Sequence, residues 1–148
     1  MSSIADIVAY IAEHYPHKSE LSKARLTKMV YLADWQAVKQ TGKQLTPIRW
    51  YFHNFGPYVD DVVNAAREDS RLKVQLTRNA YGDFKEEIKF SSMPNIATSL
   101  TKEETKIIDS VMSETQTMYW KKFIEHVYDT TPVKKSQRYS YLKLEEFV

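Results

Sequence analysis

Leu26-Thr27-Lys28-Met29-Val30-Tyr31-Leu32-Ala33-Asp34-Trp35, then Thr41-Gly42-Lys43-Gln44-Leu45-Thr46, then Trp50-Tyr51-Phe52-His53-Asn54-Phe55-Gly56-Pro57-Tyr58-Val59 is the stretch whose reading decides the fold. Leu26, Val30, Ala33 and Ala37 recur at helical spacing, and Met29 widens their stripe, so the first piece predicts a helix beginning after Ser19. Gly42 is its natural stop, because glycine takes the left-handed conformation of a helix C-terminus without a Cβ clash. The aromatic and β-branched run from Ile48 to Phe55 predicts an extended segment. Gly56-Pro57 predicts a helix start, since proline at the first helical position forfeits no useful N–H. Val59, Val62, Val63 and Ala66 continue at helical spacing.

Outward from this centre, Ile4, Ile7, Val8, Ile11 and Tyr15 form one apolar helical stripe, capped by Ser2 or Ser3 and ended by Pro16. Leu72, Val74 and Leu76 alternate with polar residues, as do Phe84, Glu86, Ile88 and Phe90. Joined through Asn79–Asp83, they predict a β-hairpin with one buried face. Ser91 to Ser99, with Pro94 and Asn95, predicts a loop. Thr101 and Glu104 are spaced as a capping box, ahead of Ile107, Ile108, Val111 and Met112. Trp120, Phe123, Ile124, Val127 and Tyr128 mark a last helix ending before Pro132. The expected fold is α+β and predominantly helical: about five helices around a small antiparallel sheet that contains the hairpin and takes in the Trp50 segment. The expected organisation is one domain over residues 1–148 with a short tail from about 133.

The 148 residues allow one sizeable core. A charge of +2 supplies no strong field for nucleic acid or an anionic membrane. Aromatic residues make up 13% of the chain, and Tyr and Trp suit both half-buried cores and interfaces. Absence of cysteine removes disulfides and thiol chemistry, in keeping with a reducing cytoplasm. No secretory signal and no transmembrane run of ~18–20 apolar residues is read, so no membrane partner is expected.

Catalysis is tested by inventory. No G-x-S-x-G elbow, phosphate-binding glycine loop or H-E-x-x-H pair occurs, and Pro16 separates His14 from His17. The expectation is a non-enzyme with no cofactor and no metal. Asp60-Asp61 and Glu86-Glu87 read as solvated pairs whose side chains diverge. Tyr31, Asp34 and Trp35 fall off the Leu26/Val30/Ala33 stripe, which makes them candidates for an exposed contact surface. Lys134, Lys135, Arg138, Tyr139 and Tyr141 could bind single-stranded nucleic acid by charge and stacking, although a docked tail is the plainer reading.

The order of these elements resembles the Panacea domain, also called the SocA-like antitoxin domain. Leu26 to Trp35 is similar to the family's L-x-K-L-x-Y-x-A-D helix, Gly42-Lys43-Gln44-Leu45-Thr46 to its G-x-x-L-T turn, and Phe55-Gly56-Pro57-Tyr58-Val59 to its G-P helix start. Leu100-Thr101-Lys102-Glu103-Glu104 resembles its L-s-x-x-E start, and His126 to Pro132 its closing h-x-T-x-P segment. The family often has Trp after that Pro, where this chain has Val133. The resemblance spans roughly residues 4 to 133. It implies a cytoplasmic antitoxin of a toxin–antitoxin system that neutralises a cognate toxin protein by binding it, often encoded in a prophage or other mobile element. The alternatives are a proteolytic adaptor that delivers its client to a Clp-type protease, for which the apolar Leu142–Val148 tail could be a docking element although core packing is its plainer reading, and a nucleic-acid-binding regulator using the Lys134–Tyr141 cluster. No fused DNA-binding domain is read, so nucleic acid is not an expected partner. The residues expected to touch the partner are Tyr31, Asp34, Trp35, Trp50, His53 and Tyr58, of which Trp50 is the most open to a plain core role.

Overall fold

The computed structural model describes residues 3–78, 80–90 and 99–148. Helix α1 (Ile4–His14) starts at Ser3, whose hydroxyl accepts from the Asp6 amide, and stops at Tyr15 before Pro16. Its Ile7, Val8 and Ile11 are buried as the stripe requires. A 3-10 turn, Lys18–Glu20, leads into α2 (Lys23–Thr41). The cap of α2 is Ser22, three residues later than the sequence suggests, and it accepts from the Arg25 amide at 3.2 Å. Gly42 ends α2 at φ +82, with its N–H on Val38 O at 2.9 Å.

Helix α2 is the axis of the fold. Every residue from Arg25 to Trp35 is buried. Packed around it are α1, α3 (Asp61–Glu68) and α4 (Lys102–Thr115), strands β2 (Gly56–Pro57) and β4 (Phe84–Phe90), and the 3-10 turn Leu144–Phe147. A helix buried on all sides is a core element, even though this one carries Arg25, Lys28 and Asp34. Tyr31, Asp34 and Trp35 therefore miss the main stripe without reaching solvent.

Gly56-Pro57 does not start a helix. It forms β2, which pairs antiparallel with β1 (Phe52–His53) in the register Phe52↔Pro57, His53↔Gly56. The aromatic run doubles back at Asn54-Phe55, and Gly56 at φ +102 closes that turn, a conformation open to glycine and strained for other residues. The following helix, α3, begins at Asp61. The hairpin β3 (Leu72–Arg78) and β4 forms a separate sheet, so the Trp50 segment does not join it. The hairpin is buried at its base through Leu72 and Ile88, whereas Leu76 and Phe84 nearer the turn are exposed. Glu86 and Glu87 diverge as expected. Glu86 pairs with Arg67 and Lys23, but Glu87 is buried rather than solvated, between Lys85 and Lys89 at 3.2 and 3.3 Å.

The capping box of α4 is present, with Glu104 N on Thr101 Oγ1 at 3.2 Å and Thr101 N on Glu104 Oε1 at 2.8 Å. Helix α5 (Trp120–Tyr128) ends before Pro132, which lies inside the short α6 (Thr131–Lys134). The segment beyond is docked. Leu142 N donates to Trp50 O at 2.8 Å, Phe52 N donates to Ser140 O at 2.9 Å, and Leu142 and Leu144 enter the central core. The predicted Ser91–Ser99 loop lies, apart from Ser99, outside the described residues.

Candidate functional site

Four polar residues of α2, Arg25, Lys28, Tyr31 and Asp34, face different parts of the molecule. Asp34 is fully buried. Its carboxylate accepts from Leu45 N at 2.8 Å, Thr46 N at 3.0 Å, Thr46 Oγ1 at 2.6 Å, Trp50 Nε1 at 2.8 Å and Gln44 Nε2 at 3.3 Å. Burial pushes its pKa up to about 6, against the pull of these hydrogen bonds. Asp34 thereby supplies the acceptor that the turn after Gly42 lacks within itself. Tyr31, one helical turn earlier, is buried edge-on to Trp50 at 5.5 Å. Its hydroxyl meets Thr130 Oγ1 at 2.8 Å, and Thr130 Oγ1 donates in turn to Val127 O at 2.7 Å. Burial raises the Tyr31 pKa, so the phenol stays protonated. Lys28 is one turn earlier again, and it faces a groove.

The groove, about 560 Å³ in volume, is lined by Ala24 and Lys28 of α2, by His53, Asn54 and Phe55 of the β1–β2 turn, by Tyr58, and by Trp120, Ile124 and Tyr128 of α5. Trp120, Ile124 and Tyr128 are spaced i, i+4, i+8, one face of a helix. Arg25 fixes where α5 begins. Its guanidinium donates to Thr115 O at 2.9 Å and Met118 O at 2.8 Å, carbonyls at the end of α4 and in the connection to α5, and it stacks over Phe123 at 4.3 Å. The β1–β2 turn is clamped from the C-terminal segment: Arg138 Nε donates to Asn54 O at 3.0 Å and Tyr139 Oη donates to Asn54 Oδ1 at 2.7 Å. Tyr139 holds φ at +68, a strained value for a residue with a Cβ, to make this contact. Two members of the basic, aromatic cluster read from the sequence are thus committed to the turn, and Tyr141 lies against Arg49 at 4.3 Å.

Inside the groove, a Cβ on Gly56 would stand 3.3 Å from a Tyr128 ring carbon and 3.6 Å from Lys28 Cε. The close approach of β2, α2 and α5 thus depends on Gly56 having no side chain. Phe55 is 76% exposed and Trp120 is 47% exposed, although both are large and apolar.

The six residues expected at a partner surface separate into three groups. Tyr31, Asp34 and Trp50 are interior and contact one another or the Leu45-Thr46 turn, which places them under the surface rather than on it. Trp35 is also buried. It lines a second, smaller cleft of about 170 Å³ with Leu32, Lys39, His126 and Asp129, and the Lys39 ammonium lies 5.5 Å from its ring. His53 and Tyr58 line the α2–α5 groove, His53 exposed and Tyr58 half-buried. Lys28, Phe55 and Trp120 were missed. The available signal for Lys28 was a lone cation in the otherwise apolar Met29–Ala33 neighbourhood, where a helix buried all round would bury the lysine too.

Among the described residues no cluster of three or more His, Cys, Asp or Glu could hold a metal ion, and no helix is long and apolar enough to cross a membrane. The family model of the antitoxin SocA-like, Panacea domain matches residues 26–132. The chain belongs to that family. No curated protein and no solved structure matches it. Within this Panacea domain the resembling segments meet on α2: Asp34 holds the Leu45-Thr46 turn, Tyr31 holds Thr130, and Lys28 lies beside Gly56 and Tyr58. The pattern is a set of tertiary contacts made by one helix.

Proposed function

We propose that this protein is an antitoxin that neutralises a cognate toxin by direct binding, and that the α2–α5 groove is its contact surface. Membership of the Panacea family supports the antitoxin role. The observation that carries the groove is the exposure of Phe55 and Trp120 on either side of an apolar depression. Large aromatic side chains beside a pocket are the usual anchors of protein–protein contacts. In this reading His53 and Tyr58 touch the toxin, and Tyr31, Asp34 and Trp50 hold the surface in shape from below. The protein works by occupancy and turns over no substrate. It acts in the cytoplasm as one unit over residues 1–148, with the segment from about 133 serving as the clamp on the β1–β2 turn.

The adaptor alternative gains nothing from the Leu142–Val148 segment, because Leu142 and Leu144 are core residues. The test is co-expression with the neighbouring gene, each under its own inducible promoter, with growth and co-purification as readouts. Rescue of a toxic neighbour together with a stable complex is the expected result. Rescue with falling neighbour levels and no complex would transfer the function to an adaptor. No rescue and no complex would overturn the antitoxin reading.

A further inference from the structure

Lys28 is 2% exposed. Burying an ammonium without a counter-charge or acceptor is costly, and folded proteins normally pair such groups. Among the described residues none accepts a hydrogen bond from Lys28 or forms an ion pair with it. Its one charge-sensitive contact is the Tyr58 ring, 5.8 Å from Nζ. Burial alone lowers its pKa, to about 8, with no carboxylate acting to restore it. At pH 7 the group is still mostly charged.

The groups around Lys28 give it no relief. Among the described residues the groove presents the phenols of Tyr58 and Tyr128, the imidazole of His53 and the amide of Asn54, and no acidic side chain. Asp60 and Glu86 are the carboxylates that act on Tyr58; Glu86 is taken by Arg67 and Lys23, and neither acts on Lys28, whose shift comes from burial. Arg138 adds positive charge beside Tyr128, its guanidinium 3.3 Å from the phenol oxygen. Along α5 the exposed Lys121 and Lys122 are balanced by the exposed Glu125 and, at its end, Asp129. The site is therefore cationic within and apolar in its walls. A carboxylate entering it would find an ammonium already stripped of most of its water, with its stem buried and its tip open to the groove, and apolar groups beside that carboxylate would find Phe55, Ile124 and Trp120.

We infer that the groove recognises a segment of a partner protein in which an Asp or Glu side chain is flanked by apolar residues, the carboxylate pairing with Lys28. This inference rests on reading the groove as the toxin-binding surface, and it adds the chemistry of what the groove takes. Lys28 is a positioning and specificity group; nothing reacts there.

The test uses a probe that requires no toxin: a random dodecapeptide library displayed on phage and selected against the full-length protein at pH 7. Selected peptides are expected to carry Asp or Glu next to Phe, Leu, Ile or Trp. Changing that acid to its amide should weaken binding about tenfold or more, the usual scale for losing a charge-assisted hydrogen bond. Lys28→Met should lose the same factor while keeping the wild-type circular dichroism spectrum. Wild-type affinity should fall about tenfold between pH 7 and pH 9 as the free ammonium, with its pKa of about 8, loses its proton. The Lys28→Met protein should show no such decline. Selection of peptides without acids, equal binding by Lys28→Met, or failure to enrich any peptide would overturn the inference. The antitoxin reading is judged separately by rescue of growth: acidic peptides lost in Lys28→Met, with no rescue by the wild-type protein, would keep the groove chemistry and remove the toxin.

Discussion

Two of the three buried charges of α2, Asp34 and Lys28, lie about 9 Å apart along the helix and are treated in opposite ways. Asp34 accepts from donors on Gln44, Leu45, Thr46 and Trp50, whereas Lys28, among the described residues, has only the face of Tyr58. Burial alone does not separate a structural charge from one kept for a ligand; the number of partners does. A satisfied buried charge fixes a unique arrangement of chain, and removing it leaves several donors stranded. An unsatisfied one costs the free protein stability, and a ligand that completes it returns that stability as affinity.

The largest effect is expected at the satisfied end. Asp34→Ala strands two backbone N–H groups, the Thr46 hydroxyl and the Trp50 indole N–H in the core. The cost should be on the order of 3–5 kcal/mol, as for breaking other buried charged networks, read as a fall in the urea midpoint. Asp34→Asn should recover little, because its amide nitrogen would face donors rather than accept from them. A loss below about 1 kcal/mol for Asp34→Ala would erase the contrast between the two ends.

The opposite sign is expected at the other end. The unfolded chain holds Lys28 near the ordinary lysine value of 10.5 and the folded chain holds it at about 8. Between these values the unfolded state binds more protons, so stability from this group rises with pH. The penalty is fully present below pH 8 and gone above about 10.5. Lys28→Met removes it and keeps the apolar stem. The variant should therefore be more stable than wild type at pH 7, by on the order of 3 kcal/mol at most. The gap should close as the pH is raised towards 10. A variant that is less stable at pH 7 would mean that Lys28 holds the fold as Asp34 does.

That contrast was only half legible in the sequence. Features set by neighbours along the chain could be read directly: the stop at Gly42, the box at Thr101 and Glu104, and the α1 stripe ended before Pro16. The role of Asp34 could not, because its donors come from residues 10 to 16 positions away that arrive only when the turn folds back over α2. Tyr31 and Trp35 were misplaced for a related reason. Placing residues off a single stripe assumes that a helix has a wet side, and α2 has almost none between Arg25 and Trp35. Gly56-Pro57 carries the composition of a helix start, yet the backbone pairing of β1 with β2 decides its conformation. The groove was least legible of all, since it joins α2, the β1–β2 turn and α5, distant segments whose meeting depends on Gly56 and Arg25.

Gly56→Ala sharpens the comparison at the unsatisfied end without touching a charge. The new methyl must be held at positive φ and must push Tyr128 outwards by a few tenths of an ångström. Strain of this kind costs about 1–3 kcal/mol. It should also alter the groove, so the variant should lose affinity for acidic peptides while Asp34 and its turn stay intact. The amide proton of Thr46, which donates to Asp34, reports this separately by hydrogen exchange. Equal loss of protection at Thr46 would mean that the two ends of α2 unfold together.

The smallest stability effect belongs to the groove's aromatic edge. Phe55 is 76% exposed and Trp120 is 47% exposed, so truncating either removes little buried surface. Phe55→Ala should change stability by no more than about 0.5 kcal/mol, as for other surface positions. Its effect on partner binding should be larger, because a central aromatic anchor is typically worth about 2 kcal/mol or more in a complex. Paired with Lys28→Met, it distinguishes two forms of the same site. If the carboxylate and the apolar residue of the partner engage as one unit, the double variant should lose less than the sum of the single losses. Simple addition would mean that Phe55 and Lys28 act on independent parts of the partner. Acidity would then be a separate requirement, and the peptide would lie along the groove instead of anchoring at one point within it.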